Sequence, residues 1–234
     1  MKFLKTLAIF FFDILDYFHQ KKILNFFQGK KIKINSIIDI GAHKGKYADL
    51  FLKNYFINYA ILIEPQIKYF HLLKKKYKNN KKIKILDCAV SNKNKKSFFN
   101  INAHDLTSSL NSINFKNNFL IYKSKLFGMQ SGAMVRDKVP IRTKTIKSIL
   151  RNVKKKIDLV KIDTEGHEFE VLKGCGNLLK NFKIILIEFR NDNHYLNYYP
   201  KKVHKLLIKN NFYKLKVFKF PFTTWEDRIY IKKI

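Results

Sequence analysis

Apolar residues along this chain keep two rhythms. Short runs rich in isoleucine, at Ile34–Ile40, Tyr59–Ile63, Ile83–Leu86, Leu159–Ile162 and Ile184–Ile187, read as strands buried on both faces. Stretches with apolar residues every three or four positions separate them and read as helices. One covers Tyr47–Asn54. A second follows Pro65 and carries Ile67, Phe70, Leu73 and Tyr77 on one face. A third carries Val171, Leu172, Cys175, Leu178, Leu179 and Phe182, and a fourth opens at Pro200 with Val203, Leu206 and Leu207. Ser97–Ile101 reads as a further short strand. Val139–Thr145 alternates like a strand, and Pro140 within it predicts a sheet edge. Phe212–Phe218 and Arg228–Ile231 close the chain as an antiparallel hairpin. This alternation predicts an α/β three-layer sandwich.

Two regions stand outside the rhythm. Residues 102–138 are polar and aperiodic, and a long irregular insertion of this kind predicts a functional cover. The first residues, Lys5–Phe27, read as a leading helix, giving a helical preface over 1–32 and a main domain over 33–234. Lys2 and Lys5 before Leu7–Phe12 imitate a signal sequence, but Asp13 and Asp16 interrupt the run and no small-residue cleavage site follows. The run is also far short of the roughly 20 apolar residues needed to cross a bilayer. Peripheral membrane contact through residues 1–30, at Phe10, Phe11, Phe12 and Phe18, stays open.

Composition changes this picture in one respect. With 46% hydrophobic residues the 234-residue chain can bury a real core, but its net charge is +31. That excess suits a polyanionic partner such as nucleic acid, anionic lipid or a phosphorylated glycan. Nearly all of it is Lys, and the abundance of Lys, Asn, Ile, Phe and Tyr together also fits a base-biased genome. A dedicated nucleic-acid site would cluster Arg. Cys88 and Cys175 form no ligand or disulfide spacing and read as small buried residues of a reduced, cytoplasmic protein, one able to sit at the inner membrane surface.

The chemistry-bearing residues lie where the strands end. Gly41 follows the first strand and permits a sharp turn with close ligand approach, and Gly45 opens the next helix. Asp39, at the strand end, can accept from a cationic group or hold the loop. The spacing is not that of a dinucleotide fingerprint. Glu64 ends the second strand, where an acid can accept both hydroxyls of a ribose. Asp163, Glu165, His167 and Glu168 crowd three carboxylates and an imidazole behind the strand Leu159–Ile162. Such crowding separates pKa values and suits proton transfer, with Asp163 and His167 leading and Glu165 beside them. His167 as a solvated residue, Glu168 as a first-turn helix acid, and a divalent metal on Asp163, Glu165 and Glu188 are the competing readings.

Four segments together, Asp39-Ile-Gly-Ala-His-Lys-Gly45, Glu64-Pro65, Ala89-Val-Ser91 and Lys161-Ile-Asp-Thr-Glu-Gly-His-Glu168, resemble FkbM-type methyltransferases from about Ile34 to Glu188. The resemblance implies a Rossmann-like class I methyltransferase with a mostly parallel seven-stranded sheet and a reversed last strand. It implies S-adenosylmethionine as cofactor, held by Gly41, Ala42, His43 and Gly45 at the methionine and ribose end. Glu64 would take the ribose, Cys88, Ala89 and Val90 would border the adenine, and Ser108 and Ser109 would lie nearby. The expected reaction is O-methylation of a small-molecule or glycan hydroxyl on a sugar, glycolipid precursor or secondary metabolite. A nucleic-acid methyltransferase, and a non-catalytic membrane-surface or glycan-binding module on the same fold, are the alternatives. Three positions depart from the family pattern: Lys147 where an acid is usual, no turn glycine after Ser91, and His43 where Asn is common.

Overall fold

The structure is a computed structural model that describes residues 2–103, 107–117, 120–121, 135–153, 156–221 and 223–233; side chains are described from residue 11 onward. Much of the expected cover, at 104–106, 118–119 and 122–134, lies outside the described residues.

A central seven-stranded sheet organises the chain. Its strands are β1 (Ser36–Ile40), β2 (Tyr59–Ile63), β3 (Ile83–Leu86), β7 (Ile157–Ile162), β8 (Phe182–Arg190), β9 (Phe212–Lys219) and β10 (Trp225–Lys232), in the spatial order β3-β2-β1-β7-β8-β10-β9. The first five pair in parallel and the last two antiparallel, so the closing hairpin reverses the sheet as expected. The order changes direction at β1, which lies between β2 and β7. That is the switch point at which open α/β sheets leave a crevice beyond the strand ends.

Alternate residues of each strand feed two different cores, which is why the strands read as unbroken apolar runs. Ile38, Ile40, Ile61, Ile63, Val160, Ile162, Ile185 and Ile187 face a layer made by the helices Ile146–Ile149, Glu168–Cys175 and Pro200–Lys209. Ile37, Ala60, Leu159, Ile184 and Leu186 face the opposite layer, to which the first helix, α1 (Lys2–Gly29), contributes Ile23, Leu24 and Phe27, and Lys46–Asn54 contributes Tyr47 and Phe51. The first helix is thus packed into the same core as the sheet.

A second sheet of three strands, β4 (Ala89–Val90), β6 (Val135–Lys144) and β5 (Lys95–Asn102) in that order, flanks the crevice. Here the edge-strand expectation is corrected: the segment containing Pro140 is the middle strand. The proline is tolerated because β4 reaches only Thr143 and Lys144, so beside Pro140 only β5 runs alongside. Two helix expectations are also corrected. In Ile67–Lys76 the inward residues are Tyr69 and Leu73, while Ile67 is exposed. The helix through Val171 stops at Cys175, because Gly176 takes a positive φ of 51°; a 3₁₀ turn covers Gly176–Asn181 and Phe182 already belongs to β8.

Candidate functional site

The crevice at the β1/β7 switch is a cleft of about 70 Å3 lined by residues from every predicted segment. Ile40, Ile63, Cys88, Ala89 and Val90 form an apolar wall, and Glu64, Gln66, Asp163 and His167 place polar groups along it. Phe99, Ser108 and Leu110 enter from the smaller sheet and the loop behind it.

Glu64 is the most constrained acid in the cleft. Its side chain is buried, yet one carboxylate oxygen accepts from the His43 backbone N–H at 2.7 Å and the other from that of Gln66 at 2.8 Å. Burial pushes its pKa up to about 7, and the two amides oppose that rise without cancelling it. Each oxygen keeps a lone pair beyond its amide, which matches a pair of vicinal hydroxyls. His43 holds the loop by its backbone, at a positive φ of 45°, and its ring packs on Tyr69 with centroids 3.8 Å apart.

Gly41 lines the cleft, and both glycines are in addition packed tightly against their neighbours. A methyl at Gly41, whose φ is +84°, would stand 1.9 Å from the carbonyl oxygen of Asp163; one at Gly45, whose φ is +73°, would meet Leu73 at 2.8 Å. Gly41 lets the loop after β1 press on the loop after β7, and Gly45 lets the next helix close on its neighbour. The Gly41 and Ala42 amides both donate to the Ile63 carbonyl, so Ala42 and Gly45 support the loop from behind the cleft.

Asp39 also lies beneath the cleft and does not line it. It is fully buried, 3.6 Å from the Lys161 ammonium, and burial raises its pKa against the pull of that charge. Lys161, missed in sequence as more than a motif letter, bridges Asp39 and Asp163, with 2.9 Å to the latter. Burial disfavours its ammonium, but the two carboxylates outweigh this and hold its pKa above the ordinary value.

The three acid–base candidates separate clearly. Asp163 lines the cleft with a carboxylate 31% exposed. Glu165 is sealed: it takes Arg190 at 2.8 Å and the Tyr195 hydroxyl at 2.7 Å. His167 is fixed between Asn111 and Ser91. The Asn111 amide nitrogen donates to the Gly166 carbonyl, so its oxygen accepts from His167 Nδ1 at 2.7 Å, and His167 Nε2 then accepts from the Ser91 hydroxyl at 3.0 Å. Burial, with Lys95 adding to it, pushes the imidazole pKa down to about 4, so it is neutral and already hydrogen-bonded at both nitrogens. Its reading as a solvated residue is corrected. Glu168 caps its own loop, one oxygen accepting from Thr164 and Gly166 amides. Ser109 is buried below the rim and ties the Thr164 and Glu165 carbonyls.

Arg190, Tyr195 and Asn111 were not singled out in sequence, although Arg190 sits two residues after Glu188 at the end of the same strand. Asp163, Glu165 and Glu188 bring ligand atoms within 4.8 Å of one another. Arg190 stands among them, 3.8 Å from Glu188, and supplies positive charge to the cluster. Burial, then the neighbouring Asp163 and Glu165, holds Glu188 well above the ordinary carboxylate range, against the pull of Arg190. A second hollow beside the small sheet is lined by Lys84, Lys95, Lys96, Arg142 and Lys144.

Comparison with known proteins places the fold and the family. Among curated proteins, none matches the chain by sequence. An FkbM methyltransferase from Methylobacillus flagellatus KT superposes with a TM-score of 0.51 at 14% identity, over 85% of this chain and 43% of that one. The chain therefore spans less than half the length of that relative. Magnesium protoporphyrin IX methyltransferase from Synechocystis PCC 6803, solved with bound S-adenosylmethionine, gives 0.52 at 9% identity over 94% of this chain and 81% of that one. At such identities the likeness concerns the Rossmann-like fold. The FkbM methyltransferase domain model, however, matches residues 39–215, which hold the whole cleft, and enzymes of that family use S-adenosylmethionine. The chain belongs to the FkbM methyltransferase family.

Proposed function

We propose that the chain transfers the methyl group of S-adenosylmethionine to a hydroxyl oxygen of a small molecule or glycan, such as a sugar, glycolipid precursor or secondary metabolite. The observation that carries this reading is a buried acid, Glu64, clamped by two loop amides on an apolar wall, in the same cleft as the open carboxylate of Asp163. The residues fit the cofactor. Glu64 holds the ribose hydroxyls, Cys88, Ala89 and Val90 border the base, and the loop at Gly41–His43 supports that end. The acidic lining suits a cationic ligand, because a positive charge relieves repulsion among carboxylates held close together.

When bound, the cofactor supplies an electrophilic methyl on a sulfonium. Asp163 is the group placed in the cleft to take the acceptor hydroxyl's proton. Lys161 keeps Asp163 oriented, its ammonium 2.9 Å from the carboxylate. His167 and Glu165 act as positioning residues, the first tying the Asp163–Glu168 loop to Ser91 and Asn111, the second tying it to Arg190 and Tyr195. The free, buried thiols of Cys88 and Cys175 suit a cytoplasmic location.

Calorimetric titration with S-adenosylhomocysteine tests the reading. Binding is expected for the native chain and a loss of about tenfold or more for Glu64→Ala, on the scale of a charge-assisted hydrogen-bond pair. Absence of binding by the native chain would overturn it. A nucleic-acid acceptor is the second reading, favoured by the basic hollow at Lys84, Lys95, Lys96, Arg142 and Lys144. It requires affinity for RNA or DNA that falls steeply with salt.

A further inference from the structure

The first helix is longer than the sheet it covers. Its 28 residues span about 42 Å, against about 17 Å for a five-residue strand such as β1. Ile23, Leu24 and Phe27 anchor its second half in the core, and His19 meets Asp227 at 2.9 Å. Asp227 pairs with Glu188, near the end of β8 that bears the cleft. Further up the helix, Asp13 contacts Lys46, which directly follows the glycine loop. The helix therefore reaches the cleft-bearing end of the sheet by Asp13.

Around the middle of the helix, Phe11, Ile14 and Phe18 fall three and four positions apart and share one face, with exposures of 51%, 38% and 55%. Phe12 and Tyr17 flank them, at 46% and 53%. Five large apolar side chains left in water on about two turns of one helix require an occupant. Charge decides which one. A second copy would bring +31 against +31, whereas an anionic surface is attracted by it, and Lys21 and Lys22 lie exposed just below the stripe. Among the described residues no helix is long and apolar enough to cross a membrane, so a bilayer would be met at its surface.

We propose that the face Phe11, Ile14 and Phe18 docks on an anionic lipid bilayer, with the aromatic rings in the headgroup boundary and the Lys-rich body against the lipid charge. The docking face lies on the layer of the sheet opposite the one that Ile40, Ile63 and Val90 face, beside Lys46 at the end of the glycine loop. Resting on the methyl-transfer reading above, docking holds the enzyme at a surface where hydroxyl acceptors are lipid-linked.

Co-sedimentation of the full chain with phosphatidylcholine vesicles containing about one-third phosphatidylglycerol tests the docking. The native chain is expected to bind them and to leave pure phosphatidylcholine vesicles largely free. The triple variant Phe11→Ser, Ile14→Ser, Phe18→Ser, with unchanged circular dichroism, is expected to bind about tenfold more weakly or worse. Lys21→Glu with Lys22→Glu is expected to weaken binding to the anionic vesicles also. Equal binding by the serine variant would overturn the proposal, as would no binding at all. So would light scattering that shows a native dimer which the serine variant dissociates, since a second copy would then own the face. Titration of the serine variant with S-adenosylhomocysteine keeps the two ideas apart: it should match the native chain whether or not vesicles bind.

Discussion

The Lys161 ammonium lies 2.9 Å from the Asp163 carboxylate, two residues further along the same strand end, and the same ammonium is the partner of the buried Asp39. Lys161→Met removes the charge that compensates both. Removing one partner of a buried pair costs about 3–5 kcal/mol, because the remaining charge is stranded. Urea denaturation should show that loss, and adding Asp39→Asn to Lys161→Met should restore part of it. Equal stability of native chain and single variant would show that the ammonium is not compensating a buried charge.

Asp163→Asn keeps the shape of the cleft and removes its open carboxylate. With a hydroxyl acceptor found by screening methyl-donor consumption, kcat should fall about 10²–10⁴-fold while S-adenosylhomocysteine affinity stays near the native value. A matching loss in His167→Gln would be far smaller, since that ring is neutral and bonded at both nitrogens. The reverse ranking would move the proton transfer to His167.

Glu64 makes cofactor affinity sensitive to pH. Ribose hydroxyls donate to a carboxylate, and in the free protein this one titrates at about 7. Protonation therefore competes with binding, and affinity for S-adenosylhomocysteine should rise roughly tenfold from about pH 6 to pH 8 and then level off. Glu64→Gln should bind more weakly and flatten the profile. A native profile that is flat, or falls with pH, contradicts the assigned role.

Gly41→Ala tests the packing of the two loops. Its φ of +84° costs an alanine about 1–2 kcal/mol, and the new methyl collides with the Asp163 carbonyl. The sum, about 3 kcal/mol or more, should lower the melting temperature by roughly 6–12 °C. Gly29→Ala is the control, because nothing lies within 4 Å of its missing methyl, and it should melt with the native protein.

How far the sequence could be read depended on whether a residue's partner lay nearby in the chain. The bounds of Tyr59–Ile63 are legible because every residue there meets a core, on one face or the other. In the helix after Pro65 several hydrophobic stripes compete, and only the position of β2 and β3 selects Tyr69 and Leu73 over Ile67. Glu64 could be placed from its strand and the glycine loop. The fates of Glu165 and His167 could not, because they depend on Arg190, Tyr195, Ser91 and Asn111, between 25 and 76 positions away. The Pro140 strand shows the same limit: both its neighbours, β5 and β4, come from several tens of residues upstream.

The near-contact of Gly41 with the Asp163 carbonyl has a wider reach. One loop carries Gly41 and His43 and the other the acidic Asp163–Glu168 segment, and there is no room for even a methyl group between them. Neither can move toward the other. Were a ligand to displace one loop, the other would have to follow, and any change in affinity so produced would be reciprocal.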